Sequence, residues 1–174
     1  MRSISGKNEQ QSICFVVSSE MTIKAFLMDQ IRALTAFYTV SVVANAQDRG
    51  FLIKHGIDVE VISIPIARNI SLLRDIVVLI SLCRLFYKHK YSCISSVTPK
   101  AGLLTMTAGM IARIPVRVHT FTGQVWATAS GMRRSLLKTA DRLLAAFATH
   151  ILVDSRSQRE YLIQEGVLKN HTSQ

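Results

Sequence analysis

Short apolar runs rich in β-branched residues alternate along this chain with longer segments of helical periodicity. The runs occupy residues 13–18, 39–45, 58–64, 91–97, 115–121 and 150–155. The helical segments occupy 22–36, 70–88, 100–113, 131–147 and 156–165. Several runs are apolar almost throughout, which is typical of parallel strands covered by helices on both faces. The regular alternation predicts an α/β fold with a doubly wound parallel sheet.

Ligands of such folds bind where the carboxyl ends of the strands meet. This rule nominates four loops, at 18–22, 97–102, 120–130 and 154–157. The first of them, "SSEMT", contains no glycine, and the chain has neither GxGxxG nor a Walker A motif. Sites for NAD, FAD and P-loop nucleotides are therefore disfavoured. The Ser19 hydroxyl can contact a ligand or cap the helix that follows.

The second loop joins a strand to a helix that begins at Thr98-Pro99, because proline suits the first helical turn. Lys100 then lies where free backbone amides and the helix dipole favour an anion. This placement fits phosphate or sugar recognition. The alternative is a solvated lysine at a helix N-terminus.

The third loop is the most polar and contains the only tryptophan, Trp126. His119, Thr120 and Thr122 come at the end of a strand and are followed by Gly123. Such side chains donate to polyol ligands, yet a single histidine at a strand end can equally be structural. No acidic residue is close in sequence, so no catalytic triad is predicted.

Charge narrows the class of partner. Lysine and arginine number 21 against 11 acidic residues, which gives a net charge of +10 in 174 residues. This excess favours an anionic partner. Nucleic acid is disfavoured, because the basic residues are not interleaved with aromatics and no nucleic-acid motif is present. The three cysteines lack metal-ligand spacing, so we expect buried reduced thiols and no metal site.

The segment 131–147 predicts an amphipathic helix with its basic residues on one side. Two interpretations stay open: a solvated helix packed on the sheet, or a helix attracted to anionic lipid. A second basic set, which includes Arg68, flanks the segment 70–88. No signal peptide or spanning segment is recognisable, so we expect a cytoplasmic protein held peripherally at the inner face of the plasma membrane. The basic residues predicted to meet the membrane are Arg133, Arg134, Lys138 and Arg142.

Four motifs together resemble the N-terminal half of family 4 glycosyltransferases, in particular bacterial enzymes of O-antigen and capsular polysaccharide assembly. They are "ISLLRD" (70–75), "TPKAG" (98–102), "HTFTGQVW" (119–126) and "ADRLLA…ATHILVDSRSQRE" (140–160). The resemblance implies a GT-B fold of two Rossmann-like domains, a retaining mechanism and no required metal. It also implies that this half binds the acceptor, while the nucleotide-sugar donor binds a C-terminal domain that this sequence does not contain.

The resemblance divides the chain into a polar tail (1–12), a Rossmann-like acceptor-binding domain (13–166) and a truncated interdomain segment (167–174). Thr122 stands where many relatives have histidine, so no catalytic residue is assigned. The residues carried over as substrate-binding are Thr98, Lys100, His119, Thr120, Thr122 and Gly123, with Ser19 from the first loop.

The expected partners are a lipid-pyrophosphate-linked saccharide, an anionic membrane surface and a separate C-terminal half. We expect the isolated chain to be inactive in sugar transfer. Two alternatives remain: a non-catalytic membrane- or partner-binding half of a split enzyme, and half of a GT-B sugar-nucleotide epimerase.

Overall fold

Every strand of the sheet runs in the same direction. The structure is a computed structural model, which describes residues 11–67 and 71–169. Within these residues, the parallel strands lie in the order β3-β2-β1-β4-β5-β6. This confirms the predicted parallel α/β sheet. The strands are β1 (Ser12–Val16), β2 (Thr39–Ala44), β3 (Glu60–Ser63), β4 (Cys93–Ser96), β5 (Val116–Phe121) and β6 (His150–Val153).

Helices connect successive strands except β2 and β3, which a 3-10 turn connects, and one predicted helix is divided in two. The helices are α1 (Glu20–Phe26), α2 (Met28–Leu34), α3 (Leu72–His89), α4 (Pro99–Ile111), α5 (Gly131–Phe147) and α6 (Arg156–Gln164), with a 3-10 turn at Ile53–His55. The sequence predicts a single helix over 22–36, but the helix bends at Leu27, where φ is −123°. The bend keeps Leu27 buried between Ile23 and Ile31. Residues 1–10, 68–70 and 170–174 lie outside the described residues, and with them Arg68 and the first residue of the predicted helix 70–88.

Alternating side chains of the central strand serve two different cores. Cys14 and Val16 of β1 face a core shared with α3, α4, α5 and α6. Ile13, Phe15 and Val17 face the opposite core, with α1 and α2. Strand β1 is thus covered on both faces, which explains why it is apolar almost throughout.

Parallel strands bring all their carboxyl ends to one edge. The strand order reverses between β1 and β4, because the chain moves outward from β1 through β2 and β3 and then returns to β4. Such a reversal leaves a crevice between neighbouring loops, where ligands bind. The loops after β1 and β4 flank this crevice, and the loop after β5 is next to it.

Candidate functional site at the carboxyl edge of the sheet

The loop after β1 contributes hydroxyls that contact each other. Ser19 is the residue before α1, and its Oγ lies 3.2 Å from Thr22 Oγ1. The Thr22 side chain is buried, whereas Ser19 is half-buried. Ser19 therefore borders the crevice while it also helps to order the first turn of α1.

The loop after β4 contributes one hydroxyl with no partner among the described residues. Thr98 Oγ1 is buried and makes no hydrogen bond to any residue in 11–67 or 71–169. The residue precedes α4 with extended backbone geometry, and Pro99 occupies the first helical turn, as predicted. A buried hydroxyl without a partner is unusual, so Thr98 is available to a ligand or to water.

Lys100 forms an ion pair rather than standing free at the helix N-terminus. Its Nζ lies 2.7 Å from Asp75 Oδ1, and both side chains are about four-fifths buried. Asp75 also accepts a hydrogen bond from the Ser71 amide at the start of α3. The pair joins the first turns of α3 and α4, and it offsets the positive charge of Lys100 at the crevice.

His119 is enclosed by the protein. Its Nδ1 lies 2.8 Å from Ser96 Oγ on the neighbouring strand, and its ring meets Phe121 edge-on. A β-carbon at residue 102 would lie 2.5 Å from His119 Cε1, so glycine at this position lets α4 pack directly on the imidazole. Burial lowers the pKa of His119 to about 3, which keeps the ring neutral. This geometry fits the structural interpretation that the sequence left open.

The loop after β5 presents its polar residues outward. Thr122 and Gly123 are exposed, and Thr120 is half-buried. Gly123 has a φ of +151°, a conformation that side chains strongly disfavour. The Gln124 Nε2 amide is buried and has no hydrogen-bond partner among the described residues. With Thr98 Oγ1 and His119 Nε2, it is one of three buried polar groups at this edge that have no protein partner within residues 11–67 and 71–169.

Trp126 lies beneath this loop and does not offer its face to a ligand. Its ring is almost fully buried and stacks on Tyr161 of α6, with centroids 5.5 Å apart. Its Nε1 donates to Asp141 Oδ2 at 2.7 Å. Burial raises the pKa of Asp141 to about 6, although the hydrogen bond from Trp126 opposes the shift. Asp141 of α5 therefore positions this loop through Trp126, and it is not a partner of His119, whose Nδ1 bonds Ser96.

The predicted membrane-binding residues of α5 are mostly engaged with α6. Arg134 and Lys138 pair with Glu165 at 2.9 and 2.5 Å, and their cationic groups lie over the Trp126 ring. Arg142 donates to the carbonyls of Glu165 and Gly166. Hydrogen bonding from Lys138 is the main cause that lowers the pKa of Glu165. Arg133 is exposed.

The apolar residues of α5 divide between the inside and the outside. Leu144 is buried, but Met132, Leu136 and Leu143 are exposed. The periodicity predicted that these residues share one apolar face. Instead, the helix is rotated so that Asp141 reaches Trp126 and the basic residues reach Glu165.

No group of three or more histidine, cysteine, aspartate or glutamate side chains in the described part of the chain is arranged to hold a metal ion. The cysteines Cys14, Cys83 and Cys93 are free, and burial raises the pKa of each thiol. None of the helices within residues 11–67 and 71–169 has both the length and the apolar composition needed to cross a bilayer.

Comparison with solved structures shows the fold class of this chain, which is a Rossmann-like α/β domain that forms one half of a GT-B fold. HepE of Anabaena, in complex with UDP and glucose, superposes with a TM-score of 0.70 at 20% identity, over 94% of this chain and 43% of that one. UDP-N-acetylglucosamine 2-epimerase from Rickettsia bellii superposes with a TM-score of 0.70 at 14% identity, over 94% and 44%.

Sequence comparison identifies the family. The Glycosyl transferase 4-like domain matches residues 22–172, so the chain belongs to that family. The capsular polysaccharide biosynthesis glycosyltransferase CapM of Staphylococcus aureus is 32% identical over 108 residues, which are 62% of this chain and 28% of that protein. The UDP-Gal:alpha-D-GlcNAc-diphosphoundecaprenol alpha-1,3-galactosyltransferase of Escherichia coli is 35% identical over 104 residues, 58% of this chain and 26% of that protein. The matched region is thus little more than a quarter of each curated relative.

Proposed function

We propose that this chain binds the acceptor in a retaining glycosyltransfer, in which a sugar passes from a nucleotide-sugar to a lipid-pyrophosphate-linked saccharide of a surface polysaccharide such as O-antigen or capsule. The family match over residues 22–172 carries the proposal, since it includes the loops after β4, β5 and β6. The name of the Escherichia coli relative gives a diphosphoundecaprenol-linked sugar as its acceptor.

The acceptor-binding groups would be the polar residues at the carboxyl edge of the sheet. Thr120, Thr122 and Gly123 present hydroxyls and backbone to the crevice, and the Thr98 hydroxyl and Gln124 amide are still without protein partners among the described residues. Sugar hydroxyls both donate and accept, so they suit such a set. Ser19 and Lys100 border the crevice, and His119 supports the loop from within.

The nucleotide-sugar donor would be held mainly by a second domain. The solved structures with this fold are more than twice as long as the part that this chain covers. With donor and acceptor on separate domains, we expect this chain alone to bind acceptor without transferring sugar, and we expect no metal or other cofactor to be needed for that binding.

The acceptor lipid would place this domain at the inner face of an anionic membrane. The excess of 10 positive charges favours that surface. On α5, the exposed Arg133 is the residue best placed to meet lipid phosphates, followed by Arg134, Lys138 and Arg142 at the α6 junction.

A sugar-nucleotide epimerase is the alternative within the same fold. It is less favoured, because the two curated relatives above 30% identity are named as glycosyltransferases, whereas the epimerase from Rickettsia bellii is alike in fold at 14% identity. An epimerase half would bind nucleotide-sugar in preference to a lipid-linked saccharide.

The test is a titration of the 174-residue chain with a short-chain prenyl-diphosphate–GlcNAc probe, in which binding is monitored through the amide NMR chemical shifts. We expect the largest shifts at 97–102 and 120–125. Thr122→Val should weaken binding several-fold, whereas Thr128→Val, an exposed threonine of the same loop, should not. Binding of UDP-GlcNAc instead of the probe would support the epimerase, and binding of neither would contradict both functions.

A further inference from the structure

The outward face of α3 is apolar over its first two and a half turns. We call this surface the α3 outer stripe, and it contrasts with an inward face whose Val78, Leu82 and Phe86 are fully buried. Leu73 is 81% exposed and Val77 61% exposed, so this is not the margin of a packed interface. The stripe consists of Leu72, Leu73, Ile76, Val77 and Ile80.

Basic residues flank the stripe and continue it toward the helix C-terminus. Arg74 lies beside it, and Arg84 and Lys88 follow on the same side of the helix, all exposed. The single acidic residue of α3, Asp75, is turned inward and neutralised by Lys100. The exposed surface of α3 therefore combines aliphatic side chains with positive charges that have no acidic partner within residues 11–67 and 71–169.

Tyr87 adds an aromatic side chain between these two bases. It is more than half exposed, while its hydroxyl donates to the Ile111 carbonyl at the end of α4. Ile111 and Met110 are exposed beside it. The apolar surface thus extends from α3 to the C-terminal end of α4.

We propose that the α3 outer stripe inserts into the interfacial region of an anionic lipid bilayer, with Arg84 and Lys88 on the lipid phosphates. Aliphatic side chains on one face with flanking bases are the features of interfacial helices. A second copy of the chain is a poor occupant, since it would bring another +10 charge against the same bases. The proposal rests on the proposed function for its lipid substrate, and it assigns the main membrane contact to α3 rather than to α5.

Vesicle co-sedimentation of the 174-residue chain tests this contact without any sugar acceptor. Binding should be strong with phosphatidylcholine vesicles that contain 30% phosphatidylglycerol and weak with phosphatidylcholine alone. The double variant Leu73→Ser/Val77→Ser should lose at least tenfold in partition coefficient. The matched control is Phe37→Ser, which removes a residue of similar exposure from the end of α2 on the opposite side of the sheet.

Charge variants separate the two helices. Arg84→Gln and Lys88→Gln should each weaken binding about fivefold at low salt, as about 1 kcal/mol for a base near an anionic surface implies. Arg49→Gln, which removes an exposed charge from the other face, should have a smaller effect. Dominance of Arg133→Gln over the α3 variants would overturn the proposal in favour of α5.

Depth is measured with tryptophan and brominated lipid. Leu73→Trp should be quenched on vesicle binding, and Phe37→Trp should not, while the buried Trp126 gives a constant background. Absence of vesicle binding would overturn the proposal, as would a dimer that Leu73→Ser dissociates. The acceptor-binding experiment uses no vesicles, so either proposal can fail while the other holds.

Discussion

Helices α3 and α5 are similar in sequence, but their basic side chains lie in different surroundings. Both are long and amphipathic, and both have several basic residues. In α3 the bases Arg84 and Lys88 point outward with the aliphatic stripe. In α5, Arg134 and Lys138 are drawn toward Glu165 and Trp126, which leaves Met132 and Leu136 outside.

This difference shows that a lysine or arginine side chain on a helix turns toward whichever acceptor the fold places within its reach. Helix α6 supplies Tyr161 to Arg134, and the two residues that follow this helix supply the Glu165 carboxylate and two backbone carbonyls to the bases of α5. On α3, the ion pair that the described part of the chain shows is that of Asp75 in the first turn, and its base, Lys100, comes from α4. Basic residues on a helix that have an acidic neighbour within reach are therefore not by themselves evidence for an anionic partner surface.

The largest expected effect comes from removing the ring that α5 and α6 share. Trp126→Ala should lower the free energy of unfolding by about 3 to 5 kcal/mol, because it leaves a cavity and an unpaired Asp141 carboxylate. Urea unfolding measures the loss. Val125→Ala, at the exposed neighbour, should change stability little, and an equal loss in both variants would show that Trp126 does not join the helices.

The second-largest expected effect on stability comes from replacing the buried carboxylate of Asp141. Asp141→Asn keeps an acceptor for Trp126 and removes the carboxylate whose pKa rises from 3.8 to about 6 on folding. A raised acid pKa means that the native wild type loses stability as pH rises from about 4 to 6, by up to about 3 kcal/mol. The variant should thus be more stable than the wild type at pH 7 and similar to it at pH 4.

The quantity to measure is the difference in unfolding free energy between wild type and Asp141→Asn, because His119 changes the stability of both proteins with pH in the opposite direction. Its lowered pKa makes stability fall as pH drops below 6.5 in both proteins. Urea unfolding at pH 4, 5, 6 and 7 gives that difference directly. A difference that does not vary with pH would contradict a buried, ionising Asp141.

A smaller effect is expected at the ion pairs between α5 and α6. Glu165→Gln removes the negative charge that pairs with Arg134 and Lys138 and leaves one acceptor oxygen, so the thermal midpoint should fall, though less than with Trp126→Ala. Because the pKa of Glu165 is lowered, its contribution is present above its unfolded pKa and disappears as pH falls through the folded one. The gap between wild type and variant should close in acid, and raised salt should narrow it. Glu160→Gln, at an exposed position of α6, is the control.

The smallest effect on stability should come from α3. Leu73→Ser changes an exposed side chain, so the free energy of unfolding should move by no more than about 0.5 kcal/mol. Circular dichroism with urea titration checks this value. A large loss would mean that the α3 outer stripe packs against another part of the protein, which would remove the contrast with α5.

The strands and helices can be predicted from the sequence because the buried strands, above all β1 and β2, are almost entirely apolar. All six runs become strands, and the helix predicted over 70–88 is found at Leu72–His89. The bend at Leu27 has no such signal, since Ile23, Leu27 and Ile31 keep helical spacing through it.

The site was harder to predict, because its groups meet across the fold. Asp141 is 15 residues from Trp126, and Asp75 is 25 from Lys100. One clue was available: Asp141 falls between Leu137 and Leu144 on the same helical face, where a carboxylate needs a donor. The contact between Ser96 and His119 could not be predicted without the register of β4 and β5, which places the two residues opposite each other.

The close approach of α4 to His119 makes positions 102 and 119 interdependent. A side chain at residue 102 would occupy the space of the imidazole and of Leu144 Cδ1, 2.8 Å from its β-carbon. We therefore expect the two positions to vary together among homologues, with a larger residue at 102 accompanied by a smaller one at 119. In laboratory evolution, alanine at 102 should become tolerable once 119 is alanine or serine. The substitution at 119, on β5, should therefore come before the substitution at 102, on α4.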